Sequence, residues 1–335
     1  MNRLAVVVLN WNGIDDTLDC FNSLLKQSMS DFKIIIVDNG SKDNSVGILK
    51  KLELKHKNNL VVLYNTYNKG FDGGVNTGIS WALKNKFEYI TLLNNDALAD
   101  TRWLENLVSG FNKKDIGMVT GLLLHIDGKT IDSTGDWYSS WGLPFPRNRN
   151  DKASLAPDGG LVFGVSGGAT MFKASLFKDI GLFDEDFFAY YEDNDISFRA
   201  QLAGWKVLYI PSAIAYHKQG ATSSKIPGFA VYQTFKNLPL LFIKNVPLGL
   251  ILPIGIRFYF SYYLMFFNAF KHKNAMVATK GLIMSLYFTP KKIVQRWSIQ
   301  KNKRVTTAYI KSILWDDLPP DQTGLRKFRK FFTRN

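Results

Sequence analysis

Residues 89–96 read Tyr89-Ile90-Thr91-Leu92-Leu93-Asn94-Asn95-Asp96, an apolar run that ends in two amides and a carboxylate. Apolar runs of this length, bounded by turn residues, predict a buried β-strand. In open α/β sheets, ligands bind at the carboxyl ends of the strands. A carboxylate there could hold a divalent cation and, through it, a diphosphate. The same polar residues could instead form a turn or cap a helix that starts near Thr101.

Three more apolar runs come earlier in the chain, at residues 4–9, 33–37 and 60–64, and each is followed by polar residues and a helix-like segment. This alternation predicts an α/β fold with a mostly parallel central sheet, right-handed crossovers and helices on both faces. The carboxyl ends of parallel strands meet at one edge of the sheet. We therefore expect Asn10, Asp38, Gly70 and Asp96 to line a common rim.

A glycine-bearing segment, residues 68–74, precedes a predicted helix. Its N–H groups could cradle a phosphate. It is not a P-loop, because the Gly-Lys-Ser/Thr ending is absent. The glycines could equally serve tight turns and helix–strand packing.

Aromatic residues alternate with carboxylates in residues 183–195, which end in Glu192, Asp193 and Asp195. Acidic residues stabilise the first turn of a helix, and Asp195 with Arg199 forms an ordinary i,i+4 pair. The same cluster would also suit a general base that takes a proton from a hydroxyl. Both interpretations fit the local sequence.

His217 follows a predicted strand at residues 205–210 that we expect to stop at Pro211. A lone histidine is most often a surface or satisfied core residue. As a neutral imidazole it could also complete a cation site that begins at Asp96.

The last third of the chain differs sharply in charge from the rest. Residues 226–335 hold 18 Lys/Arg against 3 Asp and no Glu, whereas residues 1–225 hold 24 Lys/Arg against 25 Asp/Glu. This asymmetry indicates an anionic partner, either nucleic acid or a membrane surface. The aromatic residues lie in one apolar run rather than between basic residues, which argues against a nucleic-acid stacking groove. One cysteine, Cys20, fits a reducing compartment.

Residues 246–270 carry a single charge, Arg257, and are long enough to span a bilayer. Pro247, Gly249, Pro253 and Gly255 argue against one regular helix. Lysines on both sides make a single crossing unfavourable, so we expect helices that lie in or dip into the cytoplasmic interface. The alternatives are a homo-oligomer interface or a helical lid.

The assembled motifs resemble those of family 2 glycosyltransferases with the GT-A fold, and most closely the bacterial rhamnosyltransferase-like branch. The resemblance covers roughly residues 3–220. It is carried by VVVLNWNG (6–13), VDNGSKDNS (37–45), NKGFDGGVN (68–76), LNND (93–96), SGGA (166–169), the acidic run from Phe183 to Arg199, and His217.

The resemblance implies roles for individual residues. Asp96 would bind Mg²⁺ or Mn²⁺ with His217, and Asp193, paired with Glu192, would be the catalytic base, with Asp195 as second choice. Asn94 stands where the family's motif has Asp, so it adds no charge to the cation site. The nucleotide-sugar donor would contact Leu9, Asn10, Asn12, Asp38, Asn68, Gly70, Phe71, Gly74, Asn76, Asn94, Asn95, Gly167 and Gly168.

The resemblance also implies the reaction. We expect an inverting transfer of a sugar, rhamnose in the named branch, from a dTDP- or UDP-linked donor to a hydroxyl of a glycan, lipid-linked in cell-surface polysaccharide assembly. Residues 1–225 would be the catalytic domain, with the donor half at about 1–100 and the acceptor half at about 101–225. Residues 226–335 would associate with the membrane or form oligomers. The enzyme would lie on the cytoplasmic face of the membrane.

The sequence leaves two alternative functions open. A sugar-nucleotide nucleotidyltransferase usually has a Gly-rich loop with Arg and Lys after its first strand, and residues 9–15 contain neither basic residue. A non-catalytic glycan- or nucleotide-binding protein on the same fold is permitted by Asn94. The carboxylates at Glu192, Asp193 and Asp195 count against it.

Overall fold

The computed structural model describes residues 3–218 and 226–320, in which strands and helices alternate up to residue 93. The strands are β1 (Leu4–Asn10), β2 (Phe32–Asp38), β3 (Leu60–Tyr64), β4 (Tyr89–Leu93), β5 (Ala97–Ala99), β6 (Ile116–His125), β7 (Ile131–Ser133), β8 (Asp136–Tyr138), β9 (Pro144–Pro146), β10 (Gly160–Val162), β11 (Ala169–Lys173) and β12 (Lys206–His217). The helices are α1 (Ile14–Leu24), α2 (Ser45–Lys55), α3 (Gly70–Lys84), α4 (Trp103–Ser109), α5 (Ala174–Ile180), α6 (Glu192–Leu202), α7 (Phe229–Asn245), α8 (Leu248–Lys271), α9 (Ala275–Lys301) and α10 (Thr307–Ser312).

The central sheet has the strand order β10-β12-β6-β11-β4-β1-β2-β3. Strands β4, β1, β2 and β3 run parallel, as do β6 and β12. Strand β11 lies antiparallel between β4 and β6. The prediction of a mostly parallel α/β sheet is therefore confirmed. The antiparallel strand joins a first half that contains β1–β4 to a second half built on β6 and β12.

Successive residues of each central strand face opposite sides of the sheet, and both sides are covered. Val6 and Ile34 pack on the side of α1, whereas Val7 and Ile35 pack on the side that includes Ile79 of α3. Because every strand residue meets an apolar layer, the strands have the continuous apolar sequences of a doubly covered sheet.

The helices after residue 226 build a third apolar core against α6. Phe198 and Leu202 of α6 belong to it, together with Leu238 of α7 and Phe258 of α8. The expectation that the prolines and glycines would interrupt residues 246–270 is wrong, because α8 is one helix of 24 residues with Pro253 inside it. Packing outweighs local propensity here.

Two further boundaries differ from the sequence prediction. Strand β12 does not stop at Pro211 but continues to His217, with an irregularity between Ile210 and Ile214. Proline lacks an N–H donor and is tolerated where strand pairing is already interrupted. Helix α3 starts at Gly70, so Gly73 and Gly74 lie in its first turns rather than in a loop.

Candidate active site

The carboxyl ends of β1, β2 and β4 bring polar side chains together at one edge of the sheet. Asn10 Nδ2 donates to Asp38 Oδ1 over 2.8 Å, and Asn10 Oδ1 accepts from Thr17 Oγ1 over 2.8 Å. Asn95 Nδ2 donates to the same Thr17 hydroxyl at 3.1 Å. These bonds fix Asn10, Asp38 and Asn95 along a common rim.

A cavity of about 420 Å³ opens beside Asp38, large enough for part of a nucleotide. Asn12 ties two loops near this cavity, because its N–H donates to Ser41 Oγ and its Oδ1 accepts from the N–H of Lys42. The cavity is lined by Asp38, Gly40, Ser41, Lys42, Val46, Lys50, Tyr64, Asn65 and Thr66. Of these nine lining residues, only Asp38 was among the predicted donor contacts. Tyr64 is the last residue of β3, and Asn65 and Thr66 follow it directly, so their position at a strand end was the available signal.

The glycine segment before and within α3 lies against residues 183–188. Gly70 has φ of +75°, and a Cβ on it would stand 2.3 Å from the carbonyl oxygen of Phe188. The N–H of Phe71 donates to that same carbonyl over 2.6 Å. Asn68 Oδ1 accepts from the N–H of Gly70 at 2.8 Å. Only glycine allows this close approach at residue 70.

Other predicted donor contacts in α3 have structural partners. A Cβ on Gly74 would stand 2.4 Å from Leu9 Cδ1, so Gly74 lets the helix approach β1. Asn76 Nδ2 donates to the carbonyl of Phe183, and Asn76 Oδ1 accepts from its N–H. Asn76 therefore joins α3 to the acidic segment from inside the protein.

Asp96 and His217 meet at the end of β12. His217 Nε2 lies 3.0 Å from Asp96 Oδ1, and His217 Nδ1 lies 2.7 Å from Asp132 Oδ2. Arg149 holds the other oxygen of Asp132 at 2.8 Å. Asn94 Nδ2 is 3.5 Å from His217 Nε2. The two predicted cation-binding side chains are thus adjacent.

The electrostatics of His217 follow from these neighbours. Burial disfavours the imidazolium, but hydrogen bonds to Asp132 and Asp96 raise the pKa of His217 to about 9. Sequence reasoning missed Asp132, which sits in the three-residue strand β7 and carries no local motif. Its role as the second partner of His217 is visible only in three dimensions.

Asp193 lies in the first turn of α6 and is linked to the Asp96 side of the site by residues 167–168. The N–H of Gly167 donates to Asp193 Oδ2 at 3.1 Å. The carbonyl of Gly168 accepts from the N–H of Asn94 at 2.9 Å. A two-residue turn therefore connects the carboxylate of Asp193 with the strand end that carries Asp96.

Burial raises the pKa of Asp193, although hydrogen bonds from Asn194 and Gly167 oppose the shift. Burial and the neighbouring charge of Asp193 raise the pKa of Glu192 well above its usual range. Asp136, which the sequence did not single out, lies in the same group. Its pKa is raised by burial and by Asp193, and Asn194 Nδ2 donates to it over 3.2 Å. A carboxylate with a raised pKa is a stronger base.

Asp195 occupies a different environment from Asp193. It is fully buried and paired with Arg199 at 2.8 Å and Lys244 at 2.8 Å, while Asn245 Nδ2 donates to its Oδ1 at 2.8 Å. Burial opposes ionisation, but the charges of Arg199 and Lys244 lower the pKa of Asp195. Both carboxylate oxygens of Asp195 are bonded to side chains of α6 and α7. The Asp195 side chain is therefore held at the contact between these helices, apart from the group around Asp193.

Within residues 3–218 and 226–320, no group of three or more His, Cys, Asp or Glu side chains could hold a metal ion. Asp96 offers one carboxylate oxygen at the rim, and His217 offers one imidazole nitrogen once a bound cation displaces the proton that its raised pKa otherwise retains. Mg²⁺ commonly binds one or two protein carboxylates and takes its remaining ligands from water and substrate phosphates. The donor set therefore fits a cation that a diphosphate would help to hold.

Comparison with solved structures supports the fold. A Pyrobaculum calidifontis mannosyltransferase, solved with GDP-Man and Mn²⁺, superposes with a TM-score of 0.55 at 15% identity, covering 93% of this chain and 83% of that one. Residues 1–349 of TarS from S. aureus, solved with UDP, superpose with a TM-score of 0.55 at 15% identity, covering 89% and 90%. The central sheet and its helices therefore have the GT-A arrangement.

Sequence comparison identifies the family. A poly-β-1,6-N-acetyl-D-glucosamine synthase of Staphylococcus epidermidis is 29% identical over 217 residues, which is 64% of this chain and 49% of that protein. The chain thus spans about half the length of the first curated relatives that it matches. The profile of the glycosyl transferase family 2 matches residues 5–181, more than half of the chain. The protein belongs to glycosyl transferase family 2.

Proposed function

We propose that the protein transfers a sugar from a nucleoside-diphosphate donor to an acceptor hydroxyl with inversion at the anomeric carbon. One observation carries this proposal. The buried carboxylate of Asp193, with a raised pKa, is held by the turn at Gly167–Gly168 next to the strand end that bears Asp96. A base on one side and a diphosphate site on the other are the two parts that a single displacement needs.

On the donor side, the 420 Å³ cavity beside Asp38 is the nucleoside pocket in this proposal. Asp38 Oδ2 accepts from the N–H of Ser41 at 3.1 Å, which orients the carboxylate at the cavity wall. Tyr64 offers an aromatic side chain for the base. The diphosphate of a UDP- or dTDP-linked sugar would then extend towards Asp96. Rhamnose as the sugar stays a prediction from the sequence motifs, since the relatives named above have other products.

A cation at the diphosphate would be Mg²⁺ or Mn²⁺, held by Asp96 and His217 together with the donor's own phosphate oxygens. When bound, it supplies positive charge to the leaving nucleoside diphosphate. Asp132 is bonded to Nδ1 of His217 and is itself held by Arg149, and together they orient the imidazole ring.

Asp193 and Glu192 have different parts in the proposed reaction. Asp193 Oδ accepts the proton of the acceptor hydroxyl, and the oxygen attacks the anomeric carbon from the face opposite the diphosphate. The bond from the anomeric carbon to the diphosphate oxygen breaks, and the electron pair leaves with the nucleoside diphosphate. Glu192, with its pKa raised by burial and by Asp193, adds no competing negative charge when it is protonated.

The acceptor side of the proposal rests on the outward face of α8 and α9. Leu252, Ile256, Tyr259 and Tyr263 are between 49% and 72% exposed and recur every three or four residues along α8. On α9 the apolar residue Trp297 is 75% exposed. Side chains at this spacing lie on one helix face. We infer that this apolar face lies in the cytoplasmic membrane interface and presents the active site to a lipid-linked glycan.

Among the described residues, Leu248–Lys271 is the segment long and apolar enough to cross a bilayer by its length and composition, and one third of its most apolar window is buried in the protein. We propose that it lies on the membrane rather than across it, because its buried side packs on α7. For example, Phe242 stacks on Phe258 with ring centroids 4.7 Å apart.

A thermal-shift screen of nucleotide sugars with and without Mn²⁺ tests the donor assignment. Ligand at 100 times its Kd adds about 2.7 kcal/mol of stability, so the correct donor class should raise the melting temperature by several degrees. With the donor in hand, Asp193→Asn should remove most turnover while donor binding remains. A folded Asp193→Asn protein with near-normal turnover would refute the assignment of the base.

A further inference from the structure

The segment that delivers Asp193 into the site has an unusual backbone. Phe188, Tyr190 and Tyr191 have φ values of +66°, +68° and +72°, and Tyr191 directly precedes the first residue of α6. Left-handed geometry costs a bulky side chain about 1–2 kcal/mol. Three such residues in four positions persist only if the surrounding structure holds them. The groups that bind the carbonyls of this loop, residues 187–191, therefore determine its shape.

Two neighbouring side chains of α7 hold it. Asn237 is completely buried, and its Nδ2 lies within hydrogen-bonding distance of the carbonyls of Phe187 at 3.0 Å, Ala189 at 2.9 Å and Tyr190 at 2.8 Å. Lys236 Nζ donates to the carbonyl of Phe187 at 3.0 Å and to that of Asp186 at 2.9 Å. An amide nitrogen placed among three carbonyls leaves the loop little freedom to turn.

The loop also contacts the donor side of the site. The carbonyl of Phe188, one of the left-handed residues, accepts from the N–H of Phe71 in the glycine segment at 2.6 Å. At its other end, the loop sets the direction in which α6 begins, and Asp193 is the second residue of that helix. The position of the loop therefore fixes both the start of α3 and the carboxylate of Asp193.

We propose that Asn237, assisted by Lys236, is a positioning residue for the catalytic base: it clamps loop 187–191 so that Asp193 faces the acceptor hydroxyl. The proposal rests on the proposed function for its catalytic part. Asn237 lies in the helical region beyond residue 181, where the family profile ends. The C-terminal helices would thus complete the active site as well as contact the membrane.

The test compares Asn237→Ala with Tyr262→Phe in the chain of 335 residues. Tyr262 Oη donates to the carbonyl of Phe235 at 2.7 Å, so its loss also removes a buried hydrogen bond to α7 but leaves the loop untouched. Hydrogen–deuterium exchange of peptides covering residues 183–195 is the first measurement. We expect at least tenfold faster exchange in Asn237→Ala and unchanged exchange in Tyr262→Phe.

The second measurement is turnover with the donor found in the screen. Displacement of a reacting group by about 1 Å costs on the order of a hundredfold in rate. We expect kcat of Asn237→Ala to fall at least tenfold with donor KM within about twofold, while Tyr262→Phe keeps wild-type kcat. Lys236→Met removes two hydrogen bonds to this region and keeps a side chain of similar volume, so it should show the same pattern more weakly. It replaces Asn237→Ala in the test if that variant does not fold.

Each possible outcome tests a different part of the proposal. Equal exchange in Asn237→Ala and wild type would overturn the clamp, and faster exchange with unchanged kcat would overturn its catalytic role. If the wild-type protein turns over no nucleotide sugar, the proposed function fails, while the exchange data still decide whether Asn237 holds the loop.

Discussion

Substitution of Lys292, which joins α9 to the acidic segment before α6, should destabilise the whole protein. Lys292 is fully buried, and its Nζ lies 2.6 Å from Asp184 Oδ2 and 2.7 Å from Asp186 Oδ2. Lys292→Met keeps a similar length and apolar stem but leaves two largely buried carboxylates short of a positive charge. Breaking a buried ion pair from one side typically costs about 3–5 kcal/mol.

Other contacts place the expected cost at the low end of that range. Asp184 keeps Lys244 at 2.6 Å, and Asp186 keeps Lys291 at 2.8 Å. We therefore expect Lys292→Met to lose about 3 kcal/mol of unfolding free energy. With about 2 °C per kcal/mol for a chain of this size, the melting temperature should fall by about 6 °C.

The neighbouring lysine is the matched control. Lys291 also pairs with Asp186, but its side chain is 58% exposed. Exposed ion pairs contribute about 0–1 kcal/mol, so Lys291→Met should move the melting temperature by less than about 2 °C. Differential scanning calorimetry at pH 7 compares the two variants. Equal shifts in both would show that the buried position of Lys292 is not what stabilises the junction.

Three more predictions concern other parts of the molecule. Lys244 and Lys292 overcome the effect of burial and hold the pKa of Asp184 below its usual range; its stabilising effect is therefore complete above about pH 4 and lost as the pH falls further. Melting curves between pH 6 and pH 3 should thus show a shallower loss of stability in Asp184→Asn than in wild type, and parallel curves would contradict this. Gly70→Ala, with φ of +75° and a Cβ 2.3 Å from a carbonyl oxygen, should lose about 2 kcal/mol or more and weaken UDP binding, whereas Gly47→Ala, with open space around its Cβ, should be neutral or stabilising. Leu286 is a further exposed apolar residue of α9. Trp297→Glu combined with Leu286→Glu should reduce co-sedimentation with anionic vesicles at least tenfold, while Leu54→Glu, at a similarly exposed site on α2, should not; equal binding by all three proteins would argue against the membrane face.

The sequence predicted the first half of the fold well because its signals are local. Each of the strands β1 to β4 is an apolar run closed by polar residues, and the direction of the strands then places Asn10, Asp38 and Asp96 at one edge. The hydrogen bond from Asn10 to Asp38 agrees with that expectation. Hydrophobic periodicity and the shared direction of parallel strands are enough to predict such a rim, because no contact between residues distant in sequence has to be known.

Residues whose partners lie far away in the chain could not be found in the same way. Asp132 holds His217 across 85 positions, and Asn237 reaches the carbonyl of Phe187 across 50. Neither residue sits in a recognisable pattern, and a lone Asn in an apolar helix suggests little by itself. The continuity of α8 was misjudged for a related reason, because Pro253 lowers helix propensity locally whereas the packing that overrides it comes from α7.

Several lysines of the basic C-terminal region have partners inside the protein, which the composition alone does not reveal. Lys236, Lys244 and Lys292 point inward, where they bind backbone carbonyls or the carboxylates of Asp184, Asp186 and Asp195. These lysines attach the helices to the acidic segment that carries the proposed catalytic base, so they are not available to an anionic surface. The membrane proposal therefore depends on the exposed apolar residues of α8 and α9 more than on the net charge. The end of the acidic run forms the first turn of α6, as the sequence predicts, and the same run is also the surface against which the C-terminal helices dock.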